Sequence, residues 1–527
     1  AQHSLLRAIL TTAISKMKQT KVNKLLLPDG TLNTIFISTV ACAYHCLEKS
    51  GSLQDIPFTQ HGGTICAVLI ALTLAKYFGA YVFDEVRTAS NRPHKHLYTR
   101  IKGVWYDFAQ FEHPGGPVAL NLIKGRDGTA LFMSHHLITN LNMEKILAKY
   151  KVPDDVAKGI KTLDPTDDGA HYEWEGYHND AFVKEANALV RTHLEVIAKK
   201  KNISLYEAAK ASPERLRFLG VLLSIFLVTL PSYLNGETWA LFACPFMVWV
   251  WGVNYWHDAL HFSFVSDWRI NAFSPYLIPI FSSPWMWYHE HVIGHHAYTN
   301  IGHKDPDLAH GMALQRNHES IKWRQQHGSQ GTHTRFSVLW TVAVGLGLNL
   351  LSDFKTTSRL SYNNVVGFNK LSKPRMAAHL FGRIFYVWFV FVRPFMLYSG
   401  LKALVWATYP IASFSTLFMV NSQMNHHIEE CQDTTDTNFL KHQVITAQNF
   451  GVGSFFCFLM SGGLNYQIEH HMFPFLNHCH HPVLAPKVKA LCEKHGVKYN
   501  QAAGYKDAFR KHMKHTLDMA KRPANAQ

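Results

Sequence analysis

Three clusters of histidine in the second half of the chain have the residue types and spacing of metal ligands. His257 and His261 lie four residues apart, as do His291 and His295, and residues four apart share one face of an α-helix. Each pair could therefore converge on one metal ion. His296 adjoins the second pair on the neighbouring face, from which it could reach a second ion. Imidazole nitrogen suits iron, copper and zinc.

The third cluster follows a later apolar segment. Gln467 and His471 again lie four residues apart, and His470 points to the adjoining face of the same predicted helix. A further pair, His426 and His427, stands at the end of another apolar segment. No Cys-x-x-Cys pair accompanies these clusters, which argues against a structural zinc site or an iron–sulfur cluster.

Long apolar segments place these clusters at a membrane. Residues 218–234 and 239–256 carry no charge and predict a transmembrane hairpin, and 384–398 with 401–420 predict a second one. Residues 272–287 are apolar but contain three prolines, which favours an interfacial helix over a span. Because each hairpin starts and ends on the same side, we expect about four spans with every histidine cluster at one membrane face.

The charge balance agrees with a membrane protein. The 527 residues include 52 Lys and Arg against 37 Asp and Glu, for a net charge of +15, and 34 are His. The basic residues fall near the ends of apolar segments and in the C-terminal tail, which is typical of the cytoplasmic side of a membrane. No finger spacing or aromatic RNA-binding stripe accompanies them, so we expect no nucleic-acid partner.

A soluble segment before the spans has its own motif. His-Pro-Gly-Gly at 113–116 follows a strand-like stretch at 104–107, and His135 and His136 come about twenty residues later. This arrangement resembles cytochrome b5, an α+β domain in which two axial histidines hold haem b and leave no open position, which suits electron transfer. The resemblance implies His113 and His136 as the ligands, with His135 as the alternative to His136.

The order H-x-x-x-H, H-x-x-x-H-H, Q-x-x-H-H between paired hairpins resembles the membrane-bound acyl desaturases over about residues 216–505. The glutamine that opens the last motif resembles the front-end branch, which inserts a double bond between an existing one and the carboxyl end. The resemblance implies two non-haem iron ions, with His426 as an additional ligand and His427 as its alternative. The implied ligands are His257, His261, His291, His295, His296, His426, Gln467, His470 and His471.

Together the two resemblances imply an enzyme that uses O2 and electrons from its own haem to desaturate a (poly)unsaturated fatty acyl chain. The substrate would be a membrane lipid or an acyl-CoA, and cytochrome b5 reductase would supply electrons at the endoplasmic reticulum, with the histidine clusters and the haem on the cytosolic side. The second histidine motif resembles desaturases that act at Δ5 more than Δ6, and Δ4 and Δ8 stay open. A sphingoid long-chain-base desaturase or a lipid hydroxylase shares these motifs, and a non-catalytic metal carrier is the alternative from another class.

The expected fold is multidomain, with an α+β cytochrome b5-like haem domain followed by an all-α membrane desaturase domain of about four transmembrane helices plus interfacial helices. Residues 7–24 are basic and lack Asp and Glu, which resembles a targeting presequence and makes a plastid the alternative location. The expected boundaries are an N-terminal extension at 1–90, the haem domain at 91–166, a helical connection at 167–215, the desaturase domain at 216–480 and a C-terminal tail at 481–527.

Overall fold

The computed structural model describes residues 95–139, 141–163, 174, 180–278, 283–301, 304–309, 339, 342–343, 356–357, 359–362, 365–432 and 436–519. The expectation of a presequence or extension at 1–90 lies outside these residues. Residues 91–370 and 382–527 belong to one unit, and the sites described below lie within it.

The N-terminal module (residues 95–163) starts with an antiparallel hairpin of strands β1 (Tyr98–Ile101) and β2 (Val104–Asp107). Lys102 and Gly103 form its turn, with φ angles of 50° and 76°. A small apolar core, which includes Leu97, lies between the hairpin and the helices. The helices of the module are α1 (Pro117–Ile123), α2 (Thr129–His135), α3 (Met143–Ala148), α4 (Asp154–Ala157) and a 3-10 turn at Phe108–Gln110.

A helical region follows the N-terminal module. Its third helix begins at Pro213, five residues before the predicted apolar span, because the Ser212 side chain accepts a hydrogen bond from the backbone N–H of Arg215 and proline suits the first helical position. The helices of this region are α5 (Ala181–Lys201), α6 (Leu205–Ala208), α7 (Pro213–Leu234) and α8 (Thr238–Leu260). The last two pack against each other as the expected hairpin.

The middle of the chain is built from short elements. The apolar stretch at 272–287 does not form one helix, since its described part breaks where Pro275 and Pro284 stand. A π-helix, Tyr288–His295, then carries most of the second histidine motif. The elements are α9 (Trp268–Phe273), a 3-10 helix Ser274–Leu277, α10 (Pro284–Trp287), the π-helix, α11 (His296–Tyr298), a 3-10 helix Pro306–Ala309, and the paired strands β3 (Ser361–Tyr362) and β4 (Val366–Gly367).

The C-terminal part adds a long helical pair and a group of short helices. Strands β5 (Gln448–Phe450) and β6 (Asn500–Ala502) pair in parallel and hold the tail against this group. The helices are α12 (Lys373–Tyr386), a π-helix Val387–Val392, α13 (Arg393–Leu397), α14 (Gly400–Gln423), α15 (Glu429–Gln432), α16 (Phe439–Ile445), α17 (Phe455–Ser461), α18 (Gln467–Met472), α19 (His481–Lys494) and α20 (Tyr505–Met519), with 3-10 helices at Leu464–Tyr466 and His478–His480.

Three helices in the described part of the chain are long and apolar enough to cross a membrane: Pro213–Leu234, Arg375–Leu397 and Gly400–Gln423. Helix α8 has 23 residues and is the partner of α7 in the first hairpin, but it is not one of the three. The mostly helical membrane architecture expected from the sequence is therefore confirmed, and the number of four spans stays a prediction.

One apolar core joins the N-terminal module to the C-terminal helices. Ala130 and Met133 of α2 lie in the same buried cluster as Ala297 of α11 and Phe473 after α18. Burial of apolar surface is the main favourable term in such packing. The module therefore has a defined position against the segments that carry the second and third histidine motifs.

Gly462 should be essential for packing α17 against α8. Its φ is +68°, and a Cβ there would lie 2.4 Å from the carbonyl oxygen of Val253. Gly496 is the matched control, since its φ is +67° but a Cβ would meet nothing within 4 Å. Gly496→Ala should cost only the backbone strain of about 1–2 kcal/mol. Gly462→Ala should lower the melting temperature of the detergent-solubilised protein clearly further, and equal shifts in the two variants would contradict this packing argument.

Candidate metal centre and haem site

The three histidine motifs converge on one buried region, although they are up to 214 residues apart in the chain. One group, cluster 1, has ligand atoms that all lie within 4.8 Å of one another. Its members come from the end of α8, the π-helix and α18, and they are His257, His261, His291 and His470.

A second group, cluster 2, has the same closeness and consists of His295, His426 and His471. The Gln467 side-chain amide lies beside it, with Nε2 2.9 Å from His426 Nε2. His426 lies three residues after α14, which ends at Gln423, so the C-terminal end of this helix positions His426 in the cluster.

His296 connects the two clusters. Its Nε2 lies 3.1 Å from His291 Nε2 and 3.0 Å from His470 Nε2, and its ring stacks on that of His471 with centroids 4.2 Å apart. Two imidazole nitrogens bound side by side to one metal at about 2.0–2.1 Å are roughly 3 Å apart. The spacing is therefore that of nitrogens around a shared ion.

In the N-terminal module, His113 and His136 face each other with ring centroids 5.9 Å apart and planes at 89°. A bond of about 2 Å from each ring to one metal between them would separate the centroids by roughly 6 Å. His136 is held through Nδ1, 2.8 Å from the Phe132 carbonyl oxygen, which leaves Nε2 to bind a metal. His135 has a similar contact, with Nδ1 beside Ser134 Oγ and the Leu131 carbonyl, but the ring that faces His113 is that of His136. The geometry favours His136 over His135.

Residues 237–503 match the family described as fatty acid desaturase. This match spans half of the chain. The chain belongs to the fatty acid desaturase family. It is a membrane oxidoreductase, and residues 83–155 match the cytochrome b5-like haem/steroid binding domain. The enzyme therefore carries a cytochrome b5-like domain before its desaturase domain, as the two sequence resemblances predict.

Named relatives extend over most of the desaturase. The chain is 24% identical over 452 residues to a probable Delta(5) fatty acid desaturase C from Dictyostelium discoideum, covering 80% of this chain and 92% of the relative. Acyl-lipid (8-3)-desaturases are 28% identical in Physcomitrium patens and 27% in Mortierella alpina, with coverage of 79% and 81% of this chain and 86% and 94% of the relatives.

The desaturase family implies iron, and the buried ring nitrogens fit such an ion. Both nitrogens of His257 and both of His261 are buried without a hydrogen-bond partner, as is Nε2 of His471. A buried polar atom without a partner costs free energy. A metal at the clusters would bind one nitrogen of each of these rings, and imidazoles without thiolates are suitable ligands for non-haem iron.

Polar contacts on the outer nitrogens orient the ligands of cluster 2. His295 Nδ1 lies 3.1 Å from Asp305 Oδ1, His426 Nδ1 lies 2.9 Å from the Thr446 carbonyl oxygen, and His471 Nδ1 lies 2.8 Å from Gln443 Oε1. Metal-bound histidines usually donate their other ring N–H to such acceptors. Each ring is thereby turned with Nε2 toward the cluster. The sequence motifs do not reveal Gln443 or Thr446. Both lie over 20 residues before His470, in helix α16 and directly after it, and no motif of spaced histidines marks this helix.

A similar arrangement supports cluster 1. His478 Nε2 lies 3.2 Å from His470 Nδ1, and His478 Nδ1 lies 3.1 Å from the buried Asp258 carboxylate. Asn477 donates a 2.8 Å hydrogen bond to Asp258, and Arg215 lies 3.9 Å from it. The histidine motifs do not include His478, yet its contacts with Asp258 and His470 link the first and third motifs. Only its neighbours in space give it that role.

Electrostatics favour the ligating form of most of the rings. Burial, followed by repulsion from His257 and His296, lowers the pKa of His470 well below its usual range. Burial, followed by repulsion from His296 and His426, lowers the pKa of His471 in the same way. These rings are neutral and can bind a metal. At His295, burial lowers the pKa, but Asp307 and Asp305 outweigh it and raise the pKa to about 9. A metal bound at His295 would have to displace this proton.

The structure changes one sequence interpretation. His291 and His295 were expected as one pair on an α-helix, but they belong to different clusters. The segment is a π-helix, in which the backbone N–H of His296 bonds to the carbonyl of His291, five residues back, and this turn brings the two side chains together, with Nε2 atoms 3.1 Å apart. His427, the alternative to His426, lies elsewhere, with its carbonyl accepting from His512 Nδ1.

The haem assignment can be tested by three alanine variants of the full-length enzyme. His113→Ala and His136→Ala should each remove the Soret absorbance, because each deletes an axial ligand. His135→Ala is the matched control and should keep a haem content near that of the unmodified protein. Loss of the Soret band in His135→Ala with retention in His136→Ala would reverse the assignment.

The metal assignment can be tested by the iron-to-haem ratio of the purified enzyme, measured by elemental analysis. His257→Ala and His471→Ala should each lower the ratio, since each opens one cluster. Asp305→Ala should weaken iron binding by about 10–100-fold, because it removes the acceptor that orients His295. His96→Ala changes a half-exposed histidine of the haem domain and should leave the ratio unchanged. Equal ratios in all variants would exclude these clusters as the iron site.

Proposed function

We propose that this enzyme is a front-end desaturase, which inserts a cis double bond into a (poly)unsaturated fatty acyl chain between an existing double bond and the carboxyl end. The proposal also includes electron supply from its own haem domain. It is supported by one observation above all, that the haem-binding pair and the two histidine clusters occur in one unit, with α2 of the haem domain packed on α11, which begins at His296.

We assign one of two iron ions to each cluster. The proposed ligands are His257, His261, His291, His295, His296, His426, Gln467, His470 and His471, and the proposed haem b ligands are His113 and His136. A di-iron centre supplies the activation of O2 that lets two hydrogens be removed from an unactivated pair of methylene groups.

The residues of the chain contribute orientation and exclusion of water. The ligand rings of cluster 2 and His470 are almost fully buried, which keeps bulk water from the reacting region. Glu469 is equally buried, and its carboxylate accepts hydrogen bonds from Asn449 and the Tyr499 hydroxyl, at 2.7 and 2.8 Å. It anchors the third motif to the strand β5 and the tail. No side chain need act as acid or base in this scheme.

The proposed setting follows from the electron supply. Cytochrome b5 reductase would reduce the haem at the endoplasmic reticulum, with the metal centre and the haem domain on the cytosolic side and a plastid membrane as the alternative. The proposed domain limits are 91–166 for the haem domain, 167–215 for the connection, 216–480 for the desaturase domain with four spans, and 481–527 for the tail.

The double-bond position is proposed as Δ5. The sequence resemblance of the second motif supports it, as do two Dictyostelium discoideum relatives named Delta(5) fatty acid desaturase A and probable Delta(5) fatty acid desaturase C. Other relatives are named acyl-lipid (8-3)- and (7-3)-desaturase. Their names support an acyl group carried on a lipid as the substrate, with an acyl-CoA as the alternative.

Expression in a host without polyunsaturated fatty acids tests the function. Fed with one candidate acid at a time, cells should form a new double bond on the carboxyl side of the existing ones, and mass spectrometry locates it. His470→Ala should abolish the product, whereas His96→Ala should retain it. A hydroxylated product, or a change confined to sphingoid bases, would contradict the proposal.

A further inference from the structure

A buried arginine joins the haem domain to the desaturase domain. The Arg126 side chain is completely buried, and its Nη2 donates to the Gly367 carbonyl at 2.6 Å and to Asn369 Oδ1 at 2.7 Å. Arg126 belongs to the haem domain, whereas both acceptors lie at and after strand β4. These two acceptors are neutral amide oxygens. A buried charge is tolerated only when such hydrogen bonds are made, so the contact strongly depends on the relative placement of the two segments.

Asn369 returns the contact. Its Nδ2 donates to the carbonyl oxygens of Asn121 at 2.6 Å and Lys124 at 3.2 Å, at the C-terminal end of helix α1. Its side chain therefore serves as acceptor for the guanidinium and as donor to the helix end. Asparagine is suited to this double role, since a carboxylate could not donate and an aliphatic side chain could do neither.

The backbone of Asn369 continues to the second histidine motif. Its N–H donates to His289 Nε2 at 3.1 Å, and its carbonyl accepts from Trp285 Nε1 at 3.2 Å. Because His289 Nε2 accepts, its Nδ1 carries the hydrogen and donates to the Trp285 carbonyl at 2.8 Å. His289 lies on the π-helix that also carries His291. A continuous set of hydrogen bonds thus leads from the haem domain to the helix of a proposed iron ligand.

A second contact between the two domains involves Gly116, close to the proposed haem ligand His113. Gly116, which closes the His-Pro-Gly-Gly motif, has φ +88°, and a Cβ there would lie 2.3 Å from the ring of Trp268. Trp268 starts helix α9, soon after the first histidine motif. The haem domain is therefore in close contact with the segments that follow His261 and precede His291.

We propose that Arg126, Asn369 and His289 form an interdomain latch that holds the haem domain in the position from which electrons reach the metal centre. The latch rests on the proposed function, because it presupposes electron transfer between the two sites. In each transfer one electron leaves ferrous haem, which becomes ferric, and reduces one ferric iron to ferrous. The three latch residues are positioning residues and need not bind haem or iron.

The latch can be tested by flash reduction of the haem in anaerobic, iron-loaded, full-length enzyme with a photoexcited deazaflavin. Decay of the ferrous Soret band then reports transfer to iron. Arg126→Met and Asn369→Ala should slow this decay at least about tenfold. Arg126→Met removes the hydrogen bonds to Gly367 and Asn369, and Asn369→Ala removes one acceptor of the buried guanidinium. Arg126→Lys, which keeps the charge, should recover part of the rate. The matched control is Lys145→Met, which removes an exposed positive charge from the same domain.

Further measurements separate the latch from a merely structural role and from the proposed function. Asn369→Ala lies outside the haem domain and should keep the Soret spectrum and iron content. If Arg126→Met does not fold, the decay rate of Asn369→Ala tests the latch by itself. Metal-free Asn369→Ala should also show faster hydrogen–deuterium exchange at 121–126, where its partners lie. Unchanged decay and exchange in Asn369→Ala would overturn the latch. If decay in the unmodified enzyme is the same with and without iron, it is the electron-transfer function that fails.

Discussion

Burial of imidazole rings without protein partners is the constraint on which the site depends. His257 and His261 have all four ring nitrogens buried and unpartnered, and burial, followed by repulsion from His296 and His257, lowers the pKa of His261 well below its usual range. Such an arrangement is costly for a metal-free protein. A metal ion would take one nitrogen of each ring as a ligand. The stability of this region and its metal content are therefore linked, and the surrounding structure must bring the rings together at that cost.

The short elements around the clusters meet this requirement. A regular α-helix would turn His296 well away from His291, whereas the π-helix brings residues five apart together and leaves His296 between the two clusters. The outer ring nitrogens bond to Asp305, Gln443 and Thr446, which fixes the direction of the rings. The orientation of the cluster 2 rings thus comes from loops and short helices, while the long helices supply the scaffold.

The haem domain is integrated with this scaffold. It shares an apolar core with the segments of the second and third motifs and contacts the desaturase domain through buried hydrogen bonds. Apolar packing favours close approach in several arrangements, but buried hydrogen bonds to Arg126 favour one. The proposed electron transfer between the two domains would benefit from one fixed arrangement. Apolar packing and the buried hydrogen bonds together provide it.

The sequence alone determined the family, the cytochrome b5-like domain, the mostly helical membrane architecture and the histidines that come together. These follow from local patterns: ligand spacing, apolar length and the His-Pro-Gly-Gly motif are properties of neighbouring residues. The grouping of the histidines into two clusters, the position of His136 opposite His113 and the contacts of His478, Gln443 and Asn369 came only from the tertiary structure. Each depends on contacts between residues distant in the chain or on a local change from α- to π-helix, and neither hydrophobic periodicity nor motif spacing contains that information.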